Sequence, residues 1–353
     1  MPKLNETLNN IKKIDFSLDQ ETQKRLDNLT KPQGSLGRLE ELAKQVVEIT
    51  QKKNPPLNNK VIFTLAADHG VAKDAVSAYP QEVTAQMVYN FLQGGAGINV
   101  LARHIGAKVV VVDMGVASKI QGVKGESFSD KKIGLGTKNM LKGPAMSKEE
   151  AIRSIEAGIE AFEDEFAKGI DIIGTGDMGI GNTTASSAIT SVLTNNAVKD
   201  VTGRGTGIDD KGLAHKIEII EKAINLNQPN PKDALDVLAK VGGFEIGGIA
   251  GVILAASRRR VPVVIDGFIS GAAALTAYTL APQVKDYLIA SHCSQEKGHK
   301  FILEHMGLKP ILDLQLRLGE GTGAALAINI IEAAVKILTQ MATFESAEVS
   351  EKI

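Results

Sequence analysis

The stretch IDIIGTGDMGIGNTTASSAITSVL, residues 170–193, decides how the chain is read. It opens on a short β-branched run, Ile170–Gly174, crosses a glycine-rich loop, and enters a helical pattern over Thr184–Leu193. Near-continuous apolar runs this short suit strands buried on both faces, as in a parallel sheet. Four more follow the same form: Val61–Ala67, Lys108–Asp113, Val261–Asp266 and Tyr287–Ser291. Helical patterns lie between them, at Gln81–Arg103, Ser147–Ala167, Asp209–Leu226, Phe244–Ala256 and Gly267–Ala281. Ser147 and Glu150 have capping-box spacing. The alternation predicts an α/β fold, a doubly wound and mainly parallel sheet with right-handed crossovers. Such sheets bind ligands at the carboxyl ends of their strands.

Most glycine clusters neighbour those ends. The windows 174–181, 203–207, 242–251 and 319–323 hold 15 of the 35 glycines in the 353 residues. Glycine costs chain entropy on folding, so clusters persist where backbone turns sharply or approaches something closely. They point to a ligand cradled by main chain, with the 242–251 window, which runs straight into a helix, read mostly as close helix packing. A formal net charge of −1 offers no field for nucleic acid or an anionic membrane, so any phosphate must be held locally. One cysteine makes neither an intrachain disulfide nor a thiolate zinc site, which fits a reducing cytoplasm. The opening MPKLNETLNNIKKIDF does not read as a signal peptide, and the apolar stretches fall short of the ~20 residues that span a bilayer.

Residues 1–55 carry two charged helical stretches broken at Lys31-Pro-Gln-Gly-Ser35, and 323–342 is an Ala/Ile-rich helix with no strand after it. The expected organisation is a small helical domain built from 1–55 and 323–353, beside a large α/β domain over 56–322.

Gly174-Thr-Gly-Asp-Met-Gly-Ile-Gly-Asn-Thr-Thr184 combines main-chain N–H groups at a helix start with threonine hydroxyls, which makes an anion site. It also matches G-x-G-x-x-G, but a dinucleotide site wants a second strand ending in an acid, and the residues before Asp200 are not a strand. No GK[ST] follows, so it is no Walker loop. Gly203-Arg-Gly-Thr-Gly207 offers a second set of donors and a guanidinium able to grip phosphate. Glu320, between glycines in Leu318-Gly-Glu-Gly-Thr-Gly323, leaves room for a planar ligand; in an apolar pocket its pKa would rise toward that of a working base. A helix-start acid held by the macrodipole would look the same. Of the six histidines, His292, His299 and His305 cluster at spacings that put them on no single helical face, so no metal site is expected; His69, after a strand, is placed near the site.

Taken together these segments resemble the nicotinate-nucleotide–dimethylbenzimidazole phosphoribosyltransferase family. The resemblance runs in order through Lys31-Pro-Gln-Gly-Ser-Leu-Gly37, Ala67-Asp-His-Gly70, Ser77–Met87, the 174–184 loop, Gly203–Asp210, Gly242–Gly248, Asp266–Ser270, Ser291–Ser294 and Gly319–Ala324. It implies a Rossmann-like large domain, a homodimer, and transfer of phosphoribose from nicotinate mononucleotide to 5,6-dimethylbenzimidazole with inversion at C1′. The pyridinium leaves as nicotinate, neutral at the ring nitrogen, so the reaction needs no cofactor, metal or general acid. Glu320 matches the family's catalytic glutamate, the general base for the benzimidazole N–H. Ser77, Tyr79 and Gln86 match the acceptor pocket. Gly176, Gly179, Ile180, Gly181, Asn182, Thr183, Gly205 and Ser291 match the nucleotide side. The family's loop commonly has glutamate where this chain has Asp177, a carboxylate drawn back by ~1.5 Å; Asp177 stays a site residue without an assigned role. The alternatives are a related transferase with another azole or a phenol as acceptor, and a nucleotide-binding regulator without turnover, which would need no base at position 320.

Overall fold

Val61, Phe63, Leu65 and Ala67 alternate with Ile62, Thr64 and Ala66, and every one of them is buried. A strand of that kind needs cover on both faces. The computed structural model describes residues 2–121 and 127–350, so the last three residues of the 323–353 segment lie outside the described residues. The strands are β1 (Lys60–Ala67), β2 (Ala107–Gly115), β3 (Phe128–Asp130), β4 (Ile172–Met178), β5 (Val263–Ile265) and β6 (Leu288–Ala290). They form one sheet in the order β3-β2-β1-β4-β5-β6, with every pairing parallel. The order reverses between β1 and β4, and the crevice outside their carboxyl ends is where a doubly wound sheet takes its ligand.

The helices are α1 (Pro2–Asn10), α2 (Asp19–Asp27), α3 (Arg38–Thr50), α4 (Val83–Gln93), α5 (Gly97–Ile105), α6 (Lys148–Phe166) and α7 (Asn182–Thr194). They continue with α8 (Val198–Val201), α9 (Asp210–Asn227), α10 (Ala234–Val241), α11 (Phe244–Arg258), α12 (Phe268–Leu280), α13 (Lys297–Met306) and α14 (Thr322–Gln340). One core joins Val61, Phe63 and Leu65 to α6, α11 and α12. The other joins Ile62 and Ala66 to α3, α5 and α14 through residues such as Val46, Ile98, Ala324 and Ile328. Within the first 55 residues the helices separate: α1 lies on α6 and α11, whereas α2 packs on α3 and α3 on α14.

The 242–251 glycines serve packing. A Cβ at Gly158 would lie 1.9 Å from the Gly248 carbonyl oxygen, and one at Gly251 would lie 2.0 Å from that of Ile155, so α6 and α11 touch backbone to backbone. The capping box forms as expected, with Ser147 Oγ accepting from Glu150 N–H and Glu150 accepting from Ser147 N–H.

Four expectations change. The helix expected over 81–103 is two helices, because α4 ends on Gly94 at φ +78°. β4 runs on to Met178, so Gly174 and Gly176 are strand residues and the loop proper is 179–181. β3 carries no apolar run that could have announced it; it is only Phe-Ser-Asp, paired to the edge of β2. The limit placed on apolar length was too strict for α14, whose 19 residues with a mean hydropathy of 1.5 could cross a bilayer by length and composition. It lies instead against β4, β5, α3 and α5.

Candidate active site

The strand ends bring together acids that the chain keeps far apart. Asp68 follows β1, Asp177 sits near the end of β4, Asp266 follows β5, and all three are buried. Beside them opens a cavity of about 520 Å³. Its wall takes Asp177–Ile180, Asn182 and Thr183 from the first glycine loop and Gly205–Thr206 from the second. His292, Ser294 and Glu296 follow β6, and Gln315–Gly319 lead into α14.

Glu320 follows Gly319 of this wall in the chain but is not itself among the residues that line the cavity. Its backbone is left-handed, at φ +65°. That conformation is uncommon for a residue with a side chain, and the surroundings enforce it. Thr64 Oγ1 donates to the Glu320 carbonyl at 2.9 Å, and Asp266 accepts from the N–H groups of Gly321 (3.2 Å), Gly323 (2.7 Å) and Ala324 (3.1 Å). Asp266 thus caps α14 from the end of β5. Burial pushes its carboxyl up to about 7 against the pull of those donors. The Glu320 side chain turns to the start of α5, where Oε2 accepts from Ile98 N–H at 3.0 Å. Burial raises this carboxyl above its ordinary value, with the Ile98 bond opposing. A buried carboxylate with a raised pKa is a candidate proton acceptor.

The nucleotide-side residues gather at the start of α7. Asn182 and Thr183 put the positive end of that helix's dipole at the cavity wall. Asn182 Nδ2 donates to Asp177 Oδ2 at 3.0 Å, while Asp177 Oδ1 is buried without a partner. Burial, then the negative charges of Asp266 and Glu245, drive the Asp177 carboxyl well above the usual range. Two main-chain donors expected for a ligand are already committed: Ile180 N–H to Thr84 Oγ1 at 3.1 Å and Gly205 N–H to Glu296 Oε1 at 2.9 Å. Gly205 contributes room instead, since a Cβ there would lie 2.8 Å from Thr183 Oγ1 and 3.1 Å from Lys216 Nζ. Lys216 is fully buried on α9 and donates to Thr183 Oγ1 at 2.6 Å. It sets a positive charge directly behind the glycine loops.

On the acceptor side, Tyr79 and Leu318 are exposed on the cavity wall. The Ser77 and Thr206 hydroxyls share a hydrogen bond of 3.0 Å, and Thr206 Oγ1 also accepts from Ala78 N–H, so the 77–79 segment is tied to the second glycine loop. Gln86 is exposed on α4 and is not part of the wall.

His69 and Glu245 pair at 2.7 Å in the buried floor beneath Gly179. Burial works to discharge the imidazole, but the Glu245 carboxylate outweighs it and the pKa is raised. Burial lowers His292 to about 4 and His299 to about 3, so both are neutral, and His305 stands apart against Tyr278. Among the described residues no three His, Cys, Asp or Glu side chains are grouped to hold a metal ion.

A family model described as a phosphoribosyltransferase matches residues 11–349. The chain belongs to the nicotinate-nucleotide–dimethylbenzimidazole phosphoribosyltransferase family. A relative carrying that name from Desulforudis audaxviator is 57% identical over 351 residues, covering 99% of each chain. Another, from Roseiflexus sp., is 57% identical over 353 residues, 100% of this chain and 99% of its own. A crystal structure titled as the same transferase from Thermus thermophilus superposes with a TM-score of 0.90 at 42% identity, covering 96% of this chain and 100% of that one.

In this transferase, sequence reasoning and geometry part at Ser291. Its side chain is fully buried, donating to the Asp266 carbonyl at 3.0 Å and lying 2.9 Å from His292 Nδ1. Ser294 reaches the cavity in its place. Lys216, Glu296 and Asp266 were not expected at the site. Lys216 had a readable signal: it occupies the buried stripe of α9 that continues with Ile219, Ile220 and Ala223, where a lysine demands a partner.

Proposed function

We propose that this phosphoribosyltransferase moves the phosphoribosyl group of nicotinate mononucleotide to 5,6-dimethylbenzimidazole, releasing nicotinate and forming α-ribazole 5′-phosphate. The observation that carries the reading is Glu320, a buried carboxylate of raised pKa, fixed by Ile98 N–H and next in the chain to a cavity whose wall carries the α7 start, with Lys216 buried behind it. The 5′-phosphate goes to the α7 end, beside Thr183, Gly205 and the Lys216 ammonium. The acceptor ring lies near Glu320, between Leu318 and Tyr79. Its unprotonated nitrogen attacks C1′ from the face opposite nicotinate, so the anomeric centre inverts. Glu320 takes the proton from the ring N–H as the C1′–N bond forms. The pyridinium nitrogen already bears the positive charge and receives the bonding electrons, so nicotinate leaves without protonation at that nitrogen. The burial and acid surroundings that raise the Asp177 carboxyl favour its neutral form, which lessens repulsion toward the phosphate. The reading treats two copies as the working unit, which light scattering checks.

The test is direct. Purified protein given nicotinate mononucleotide and dimethylbenzimidazole should release nicotinate and yield the riboside phosphate by mass spectrometry. An acceptor panel of benzimidazoles, purines and phenols reads the preference. No nicotinate release with any benzimidazole would end this reading.

A further inference from the structure

Glu296 is a buried carboxylate on the cavity wall that the transfer chemistry leaves without a task. It precedes α13, and its Oε1 accepts from Gly205 N–H at 2.9 Å. Its Oε2 is buried with no hydrogen-bond partner. The carboxylate lies flat against the second glycine loop: a Cβ at Gly203 would sit 2.2 Å from Oε2 and 2.8 Å from Cδ. Only glycine at 203 admits it. An ionised group held by one hydrogen bond in the interior is costly unless a neighbouring charge offsets it. The offset is across the loop, at Lys216.

We propose that Glu296 is a positioning residue for nucleotide binding, pinning the 203–207 loop through Gly205 N–H and keeping the Lys216 ammonium charged behind Thr183. The inference rests on the placement of the 5′-phosphate beside Thr183. Lys216 Nζ has one hydrogen-bond partner, the Thr183 hydroxyl at 2.6 Å. Burial lowers its pKa to about 8, and the Glu296 carboxylate is the charge that resists a further fall. Other elements around α9 bring no competing charge. α7 presents the Thr183 hydroxyl, Lys199 and Asp200 of α8 are exposed, and Asp236 and Lys240 of α10 pair with each other at 2.9 Å. His215, on α9 itself, bonds the Asp74 carbonyl, and Arg317 holds the Gly205 carbonyl from the cavity side. Glu296 therefore acts on the substrate only through Lys216 and the loop.

The experiment is calorimetric titration of nicotinate mononucleotide into wild type, Glu296→Gln, Lys216→Arg and the double variant from pH 6.5 to 9. Glutamine keeps an acceptor for Gly205 N–H and removes the charge. Wild-type affinity should decline above pH 8. If losing Glu296 lowers the lysine by about one unit, Glu296→Gln should bind nearly as well as wild type at pH 6.5 and about fivefold more weakly at pH 8. Lys216→Arg should remove the alkaline decline in both backgrounds, because the guanidinium stays charged. A Glu296→Gln profile parallel to wild type, whether equal, tighter or uniformly weaker, overturns the charge-holding role. Wild-type protein that binds no nicotinate mononucleotide at any pH overturns the nucleotide placement as well.

Discussion

Gly176→Ala tests how Glu320, the carboxylate proposed as the base, is held. Gly176 lies in β4, opposite Thr64 of β1, and behind the turn that carries Glu320. A methyl group there would lie 2.2 Å from the Glu320 carbonyl oxygen, 2.4 Å from its carbonyl carbon and 2.6 Å from Gly321 N. Carbon and oxygen pack at about 3.5 Å, so the turn must retreat by roughly 1 Å. It cannot pivot freely, because Thr64 and Asp266 hold it on both sides of Glu320. The displacement therefore passes to the side chain and its bond with Ile98. A misplacement of ~1 Å at a reacting group costs about a hundredfold in rate, and overpacking costs about 1–3 kcal/mol of stability. Gly176→Ala should remain folded, bind nicotinate mononucleotide within a few-fold of wild type, and release nicotinate about a hundredfold more slowly. Steady-state assays, titration calorimetry and thermal melts separate the three quantities. Turnover within threefold of wild type would refute the argument that β4 backs the Glu320 turn.

Glu320→Gln should lose most of kcat while keeping nucleotide affinity; near-normal turnover removes Glu320 as the base. The base works as a carboxylate and its pKa is raised by burial. The kcat profile should therefore fall as pH drops through a midpoint above the ordinary glutamate value, and Glu320→Gln should flatten that limb. Asp266→Ala leaves three buried N–H groups at the start of α14 without their acceptor and should cost about 2–4 kcal/mol in denaturant unfolding together with activity; unchanged stability would mean that α14 is capped some other way. Gly251→Ala forces α11 off α6, with a Cβ 2.0 Å from the Ile155 carbonyl oxygen. It should lower the unfolding free energy by about 1–3 kcal/mol, with turnover per folded molecule preserved, since neither helix lines the cavity.

What the sequence made legible follows from physics with a short range. Val61–Ala67 and Lys108–Asp113 read as strands because both faces are apolar, and α6 because Ser147 and Glu150 cap it. Gly176 looked like loop because glycine weakens strands. It is a strand residue with the Glu320 turn pressed on it, a contact from 144 residues further along (320 − 176). Lys216 and Glu296 escaped notice for a related reason. Each is an ordinary charged residue in its own segment, and each becomes a site residue only when the glycine loop between them brings the two charges together. Ser291 sits one residue before the cavity wall, its side chain buried against the Asp266 carbonyl, while His292 and Ser294 line the cavity; the bridge from His292 to Leu312 shows that course.

The cap that Asp266 places on α14 also imposes an order in time. β1, β4, β5 and both glycine loops are all synthesised before Thr322, yet the face of the sheet that carries Ile62 and Ala66 is covered only in part, by α3 and α5, until α14 arrives. Glu320, the proposed base, comes just ahead of the segment that completes this cover. A chain stalled before Glu320 would therefore leave part of an apolar sheet face open and lack the proposed base as well.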